Sequence, residues 1–329
     1  MRNPTTLTAA IRHFATWENC REYLVTRRWP DGVTCPTCGS KTVYFDSSRP
    51  GWECKTRHPK RKFTLKTGTV FEDSALGLDK WLPVVWMIAN MRNGVSSHEI
   101  ARSIGVTQKT AWFMLQRIRL AMQDDSPTDK FSGHIEADET FVGGKARNMH
   151  PGRKARTLKG RESGTFGKAI VMGVLERNSP DRPSRVRTTV VKTTRRHAVI
   201  GEIRRNVDMD GTSTVYTDAL KSYERPATWT PRDNYAHKVI DHAEAYVNGA
   251  IHTNGMENYW SLLKRTLKGT YVSVEPFHLF RYLDEQAFRF NLRKNANDAD
   301  RFSSAIRGII GKRLTYDALT GRDGLQATY

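Results

Sequence analysis

Cysteine is scarce in this chain, with four in 329 residues. That is too few for a disulfide scaffold of this size, so a clustered set points to metal binding instead. Long hydrophobic runs are missing too. No window approaches the roughly 18–20 apolar residues needed to span a bilayer. The opening MRNPTTLTAAIRHFATWENC lacks the continuous apolar core of a secretory signal. The expectation is a soluble, cytoplasmic protein with no membrane partner. Acidic residues are also in short supply: 34 Asp and Glu stand against 53 Lys and Arg, for a formal charge of +19. An imbalance that large speaks about partners rather than fold. A polyanion is the natural partner, because each phosphate neutralised by Lys or Arg releases a condensed counterion.

The length allows two or three domains. Residues 1–30 read as helical, with Ile11, Phe14, Trp17, Leu24 and Trp29 as apolar candidates. A turn-rich, cysteine-bearing module follows over 31–68, then a helical region over 78–124 that ends at the polar linker DDSPTDK. From 131 to 300 strands and helices alternate, and 301–329 forms a C-terminal tail. Strands are expected at 134–142, 168–176, 184–192 and 213–217, with helices near 197–206, 255–268 and 276–291. The insert 145–168 carries eight Lys and Arg against one Glu and has no apolar periodicity. It reads as a basic surface loop, with Lys145, Arg153 and Lys154 placed to touch nucleic acid.

Cys35, Cys38, Cys54 and His58 make a C-x₂-C-x₁₅-C-x₃-H pattern. That spacing is close to structural zinc sites, in which four protein ligands close a tetrahedron and leave no position for chemistry. Tyr44, Trp52 and Phe63 are expected to cover the knuckle. His13 and Cys20 remain alternatives for the fourth ligand.

The segment NGVSSHEIARSIGVTQKTAWFMLQRIRLAM contains two helical runs joined by Ser103-Ile104-Gly105-Val106. Ser96 and Glu99 match a capping box, and Thr107 suits the N-cap of the second helix. Ala111, Leu115, Ile118 and Met122 recur at helical spacing as a packing face. The pattern is that of a helix-turn-helix, with Gln108 and Lys109 in the first turn of the reading helix and Gln116 and Arg117 further along as DNA contacts.

Three carboxylates sit in distinct local patterns: Asp138 in HIEADETFVGGK, Asp218 in TVYTDALKSY and Glu257 in HTNGMENYWSLLKR. In a strand over HIEADETFV, Glu136 and Asp138 share one face and Ala137 and Glu139 the other. Asp218 ends a strand, and Glu257 opens a helix in which Met256, Tyr259, Trp260 and Leu263 form an apolar core face. Such a set suits Mg²⁺, or Mn²⁺, which prefers a few carboxylate oxygens and leaves room for water and phosphate. Lys264 lies seven residues after Glu257, on a broadly similar face, with Arg265 beside it. Both can approach a phosphate. Glu139 rivals Asp138, and Asn254 and Asn258 rival Glu257.

Taken in order, these motifs resemble the DDE transposases of bacterial insertion sequences that carry an N-terminal zinc ribbon, relatives of the eukaryotic Merlin elements. The likeness runs from CPTCGS and FTLKTGTVFEDSALGLDKW through ADETFVGGK and YTDALKSY to YVSVEPFHLFRYLDEQAFRFNLR. It implies an α/β fold: a ribonuclease-H-like core, a mixed sheet flanked by helices, preceded by a zinc ribbon and a helix-turn-helix. It also implies a Mg²⁺-dependent triad of Asp138, Asp218 and Glu257, acting on the double-stranded DNA of the element ends and of the target, in a homodimer or larger assembly on nucleoid DNA. The second zinc half departs from the family's usual cysteine pair, reading Cys54 and His58. Some members carry Asn as the third catalytic residue. Two other readings stay open: a non-catalytic DNA-binding regulator derived from such an enzyme, and a ribonuclease-H-like nuclease without strand transfer.

Overall fold

The computed structural model describes residues 3–124, 129–144, 150–152, 167–218, 221–223, 234–240 and 252–322. Two compact units divide the chain: 1–123 with 295–326, and 124–294 with 327–329.

The first unit opens with α1 (Leu7–His13) and α2 (Trp17–Arg28), each started by a threonine, Thr6 or Thr16, whose hydroxyl accepts from a first-turn amide. A three-stranded antiparallel ribbon follows: β1 (Val43–Asp46), β2 (Gly51–Cys54) and β3 (Lys62–Phe63). Next come α3 (Leu78–Asn90), α4 (Ser97–Ile104) and α5 (Gln108–Ala121). Both arms of the Ser96–Glu99 capping box form. Gly105 closes α4 in the left-handed region, at φ 64°, which turns the chain sharply into Thr107, the N-cap of α5.

The second unit holds a five-stranded sheet. Its strands are β4 (His134–Val142), β5 (Ala169–Glu176), β6 (Arg185–Val191), β7 (Asp210–Asp218) and β8 (Asn234–Ile240). The spatial order is β6-β5-β4-β7-β8. β5 runs antiparallel to β4 and β6, whereas β7 and β8 run parallel to β4. The parallel return from β6 to β7 passes through α6 (Arg196–Asn206). Two more helices follow, α7 (Asn254–Thr266) and α8 (Leu279–Asn291).

Each face of this sheet has its own core. Ile135, Ala137, Met172 and Val174 pack with Val199, Ile200 and Ile203 of α6. Val171 and Leu175 pack with Met256, Tyr259, Trp260 and Leu263 of α7 and with Leu279, Leu283 and Phe290 of α8. The period-two alternation of β5 therefore feeds both layers. β8 was not among the expected strands. Its sequence NYAHKVI mixes polar and apolar residues without clear alternation.

The described part of the stretch read as a C-terminal tail, together with the residues just before it, belongs to the first unit. It carries α9 (Asp298–Arg307) and α10 (Tyr316–Thr320). Phe302 of α9 is fully buried against Phe14 and Tyr23, with ring centroids 5.8 Å from each. Asn90 donates to the Asp298 carbonyl at 3.2 Å and accepts from Arg301 Nε at 2.9 Å. Beyond α9 the Val70 amide donates to the Ile309 carbonyl at 3.1 Å.

Gly308 marks the tightest point of this return, because a Cβ there would lie 1.9 Å from the Ala121 carbonyl oxygen. The obstacle is backbone, which cannot rotate away. Gly308→Ala is expected to destabilise the first unit by about 2–3 kcal/mol or more, the cost of overpacking. A denaturant titration followed by tryptophan fluorescence measures it.

Candidate active site and metal knuckle

Strand pairing sets the distance between two of the expected carboxylates. β4 and β7 pair in parallel as His134–Thr214, Ile135–Val215 and Glu136–Tyr216, a constant offset of 80. The same offset carried two residues on brings Asp138 beside Asp218, the last residue of β7. Neighbouring strands lie about 4.8 Å apart, so the two side chains leave the same sheet face as near neighbours.

The third carboxylate arrives on α7, which lies directly on the sheet. Its seat is Gly173, the partner of Asp138 on β5. A Cβ at Gly173 would come within 2.3 Å of Met256 Cε and 2.8 Å of the Trp260 ring. The missing side chain lets Trp260 reach across, and its indole Nε1 donates to Asp138 Oδ2 at 2.9 Å. The Glu139 amide donates to the other oxygen, Oδ1, at 2.8 Å. Glu257, in the first turn of α7, is exposed at the rim with Asn254 and Asn258 on either side.

These groups act on one another electrostatically. Burial pushes Asp138 up to about 6; the bonds from Trp260 and the Glu139 amide pull it down, and the charges of Asp218 and Glu257 push it up again. Glu139 is driven up to about 7, first by burial and then by Asp138 and Asp218, against the hydrogen bond it accepts from the Tyr223 hydroxyl at 2.6 Å. Lys264 and Arg265 are exposed on α7.

The zinc knuckle is compact. Ligand atoms of Cys35, Cys38, Cys54 and His58 all lie within 4.8 Å of one another. Cys35 Sγ is 3.4 Å from His58 Nε2, and Cys38 Sγ is 3.7 Å from Cys54 Sγ. A tetrahedral zinc, with bonds of about 2.3 Å to sulfur and 2.0 Å to nitrogen, spaces its donors roughly 3.5–3.8 Å apart. The donor set therefore fits a structural zinc. Cys20 lies outside the group: it is buried, donates to the Phe14 carbonyl and is pushed up to about 12, chiefly by burial. Trp52 and Phe63 are buried and stacked with ring centroids 5.9 Å apart. Tyr44, expected with them, is instead 53% exposed, because on β1 it points away from the face where Phe45 meets Trp52.

Of the expected DNA contacts, Gln108 and Lys109 are exposed at the start of α5. Gln108 donates to Ser97 Oγ at 2.9 Å, and the Lys109 ammonium sits 4.8 Å from the Tyr316 ring centroid. Gln116 and Arg117 do not belong to that set. Gln116 is fully buried, and Arg117 donates to the Leu314 and Glu72 carbonyls. The C-terminal half of α5 is enclosed by the returning segment, so the helix is not one-sided as its apolar spacing suggested. Lys145, Arg153 and Lys154 lie outside the described residues.

Sequence reasoning passed over Trp260 and Gly173. The former was read as core and the latter was not singled out, since neither declares its role until α7 is laid across the sheet.

An ISXO2-like transposase domain matches residues 130–291, and a transposase zinc-ribbon domain matches residues 16–56. A protein of Halobacterium salinarum, described as an uncharacterized protein in transposable element ISH50, is 30% identical over 263 residues, covering 78% of this chain and 85% of that protein. The chain belongs to the zinc-ribbon-bearing DDE transposases of insertion sequences. Among the described residues no helix is long and apolar enough to cross a membrane.

Two predictions follow from these geometries. The carboxyl of Asp138 rises from an ordinary 3.8 to about 6 on folding, so the folded state binds the extra proton and loses stability as pH climbs through that window. At about 1.4 kcal/mol per unit the loss is about 3 kcal/mol. Asp138→Asn removes it. With no Mg²⁺ or Mn²⁺ added and the zinc left in place, the variant should gain about 2–3 kcal/mol relative to wild type between pH 4 and pH 8, whatever constant offset the amide introduces; unfolding curves at the two pH values measure this. For the knuckle, Cys54→Ser or zinc chelation should unfold the ribbon, because small metal modules take most of their folding free energy from the ion. Zinc content near one ion per chain by elemental analysis, falling in the variant together with ribbon amide protection, is the expected result.

Proposed function

We propose that this transposase binds the terminal inverted repeats of its own element and catalyses metal-dependent DNA strand cleavage and strand transfer at Asp138, Asp218 and Glu257. The observation that carries the reading is the parallel register that sets Asp138 beside Asp218, with α7 bringing Glu257 close enough to raise the Asp138 carboxyl further. A mixed sheet with one antiparallel hairpin side and two parallel strands, helices on both faces, one acid midway along the central strand and another at the end of its parallel neighbour supports a ribonuclease-H-like core.

The donor chemistry suits Mg²⁺ or Mn²⁺. Three carboxylates supply hard oxygen ligands, and their mutual repulsion is the charge a divalent cation offsets. When bound, such ions activate an attacking oxygen and neutralise charge at phosphorus. The chain's own residues do the rest. Trp260 and the Glu139 amide fix the Asp138 carboxylate, one donor to each oxygen. Lys264 and Arg265, exposed on α7, meet the phosphate backbone. Gln108 and Lys109 enter the major groove from a helix-turn-helix formed by α4 and α5, and the zinc ribbon supports end recognition. Water serves as the nucleophile for cleavage and a DNA 3′-hydroxyl for joining. Two ends must be held together, so the working form is a homodimer or larger assembly on nucleoid DNA.

Asp138→Ala and Asp218→Ala should each lower cleavage of end-bearing linear DNA at least a thousandfold with end binding nearly unchanged. Glu257→Gln should do the same, since it keeps the shape and removes the charge. Cutting by either aspartate variant at near wild-type rate would overturn the assignment. Normal cutting by Glu257→Gln beside a dead Asn254→Ala or Asn258→Ala would move the third ligand to that asparagine.

A further inference from the structure

One buried carboxylate near the site is unaccounted for. Glu136 precedes Asp138 by two residues on β4, shares its sheet face and is only 1% exposed. By position alone it would count as a candidate fourth acidic ligand. Its partners say otherwise. Oε1 accepts from Arg177 Nε at 2.8 Å and lies 3.4 Å from His252 Nδ1. Oε2 accepts from the Met256 amide at 2.8 Å.

That last bond spans from the catalytic strand to the catalytic helix. Met256 is the third residue of α7, and its amide is among the donors that a helix start leaves without an intrahelical partner. Thr253, at the N-cap, makes no side-chain capping bond. Glu136 does that work from another element, and a carboxylate at a helix N-terminus is further favoured by the dipole. Approach this close needs a residue with no side chain beside Met256. Gly255 is that residue: a Cβ there would lie 2.8 Å from Glu136 Oε2 and 3.2 Å from its carboxyl carbon. The far side of the carboxylate is fixed as well. Arg177 stacks 4.1 Å from the Tyr216 ring centroid, on the strand that ends in Asp218, and donates to the His252 carbonyl.

We propose that Glu136 and Gly255 form a clamp that positions Glu257 against Asp138, with Glu136 a positioning residue rather than a metal ligand. The clamp ties β4 to the first turn of α7 one residue before Glu257, while Trp260 ties the next turn to Asp138 itself. Two fixed points on adjacent turns set both the height and the rotation of the helix, and so the separation of the two carboxylates. The inference rests on the catalytic reading of Asp138, Asp218 and Glu257.

The test uses the full-length protein and four variants: Glu136→Ala, Glu136→Gln, Gly255→Ala and, as a control on the site itself, Asp138→Ala. Mn²⁺ binding is measured by calorimetry, and cleavage of end-bearing DNA is followed under saturating and subsaturating conditions. Gly255→Ala keeps every polar group and only pushes the helix start outward. It should weaken Mn²⁺ binding about tenfold and lower kcat by a similar factor, with KM for DNA and the melting temperature close to wild type. Glu136→Ala should do the same or more. Glu136→Gln keeps an oxygen for the Met256 amide but turns its NH₂ toward Arg177, so it should recover part of the loss. If Glu136→Ala does not fold, Gly255→Ala decides the matter.

Wild-type Mn²⁺ affinity and kcat in Gly255→Ala would overturn the clamp, as would equal damage from Glu136→Gln and Glu136→Ala. A fall in DNA affinity or melting temperature without a change in kcat would overturn it too, by assigning the pair a merely structural role. Asp138→Ala separates the two levels of the argument. If it still cuts, the site reading fails; if it is dead while Gly255→Ala behaves as wild type, the clamp alone fails.

Discussion

Repulsion among carboxylates is the constraint around which the second unit is arranged. At a separation of about 5 Å and an effective dielectric near 20, two such charges repel by about 3 kcal/mol. A flexible scaffold would relieve that by letting them drift apart. Here drift is resisted on every side of Asp138. Its strand is the middle one of five, hydrogen-bonded to β5 through eight residue pairs and to β7 on the other edge. Its two oxygens each receive an N–H donor. The rise of its carboxyl to about 6 comes first from its burial, and the charges of Asp218 and Glu257 add to it.

Much of this was legible in the sequence, for a definable reason. β4 is found at 134–142 as read, because polar and apolar residues alternate over HIEAD and a glycine pair follows the segment. The helix carrying Glu257 was legible from the spacing of Met256, Tyr259, Trp260 and Leu263, and all four are buried in one layer. What stayed hidden depends on contacts between distant segments. Glu136 looks like one more acid until Met256, 120 residues later, is brought to its Oε2. Gln116 and Arg117 look like the outward face of a reading helix until the chain beyond α9 closes over them. β8 carries no pattern of its own and is a strand because β7 offers it an edge.

Glycine is the common thread among the hidden features. Gly173, Gly255 and Gly308 each stand where another element approaches within the radius of a methyl group, and none of them adopts a positive φ. A turn glycine can be guessed from its neighbours, as Gly105 was. A contact glycine cannot, since its necessity comes from an atom far along the chain.

The return of residues 295–322 to the first unit bears on how the protein is made. A ribosome delivers all of β4 to α8 before it delivers Phe302, so the acidic centre can be complete while the ring cluster of Phe14 and Tyr23 still lacks its third member. A message broken or stopped within the catalytic unit therefore yields a chain whose first unit keeps bare aromatic surface and an unsupported α5. Apolar surface left bare in this way is what makes an incompletely folded chain prone to aggregate.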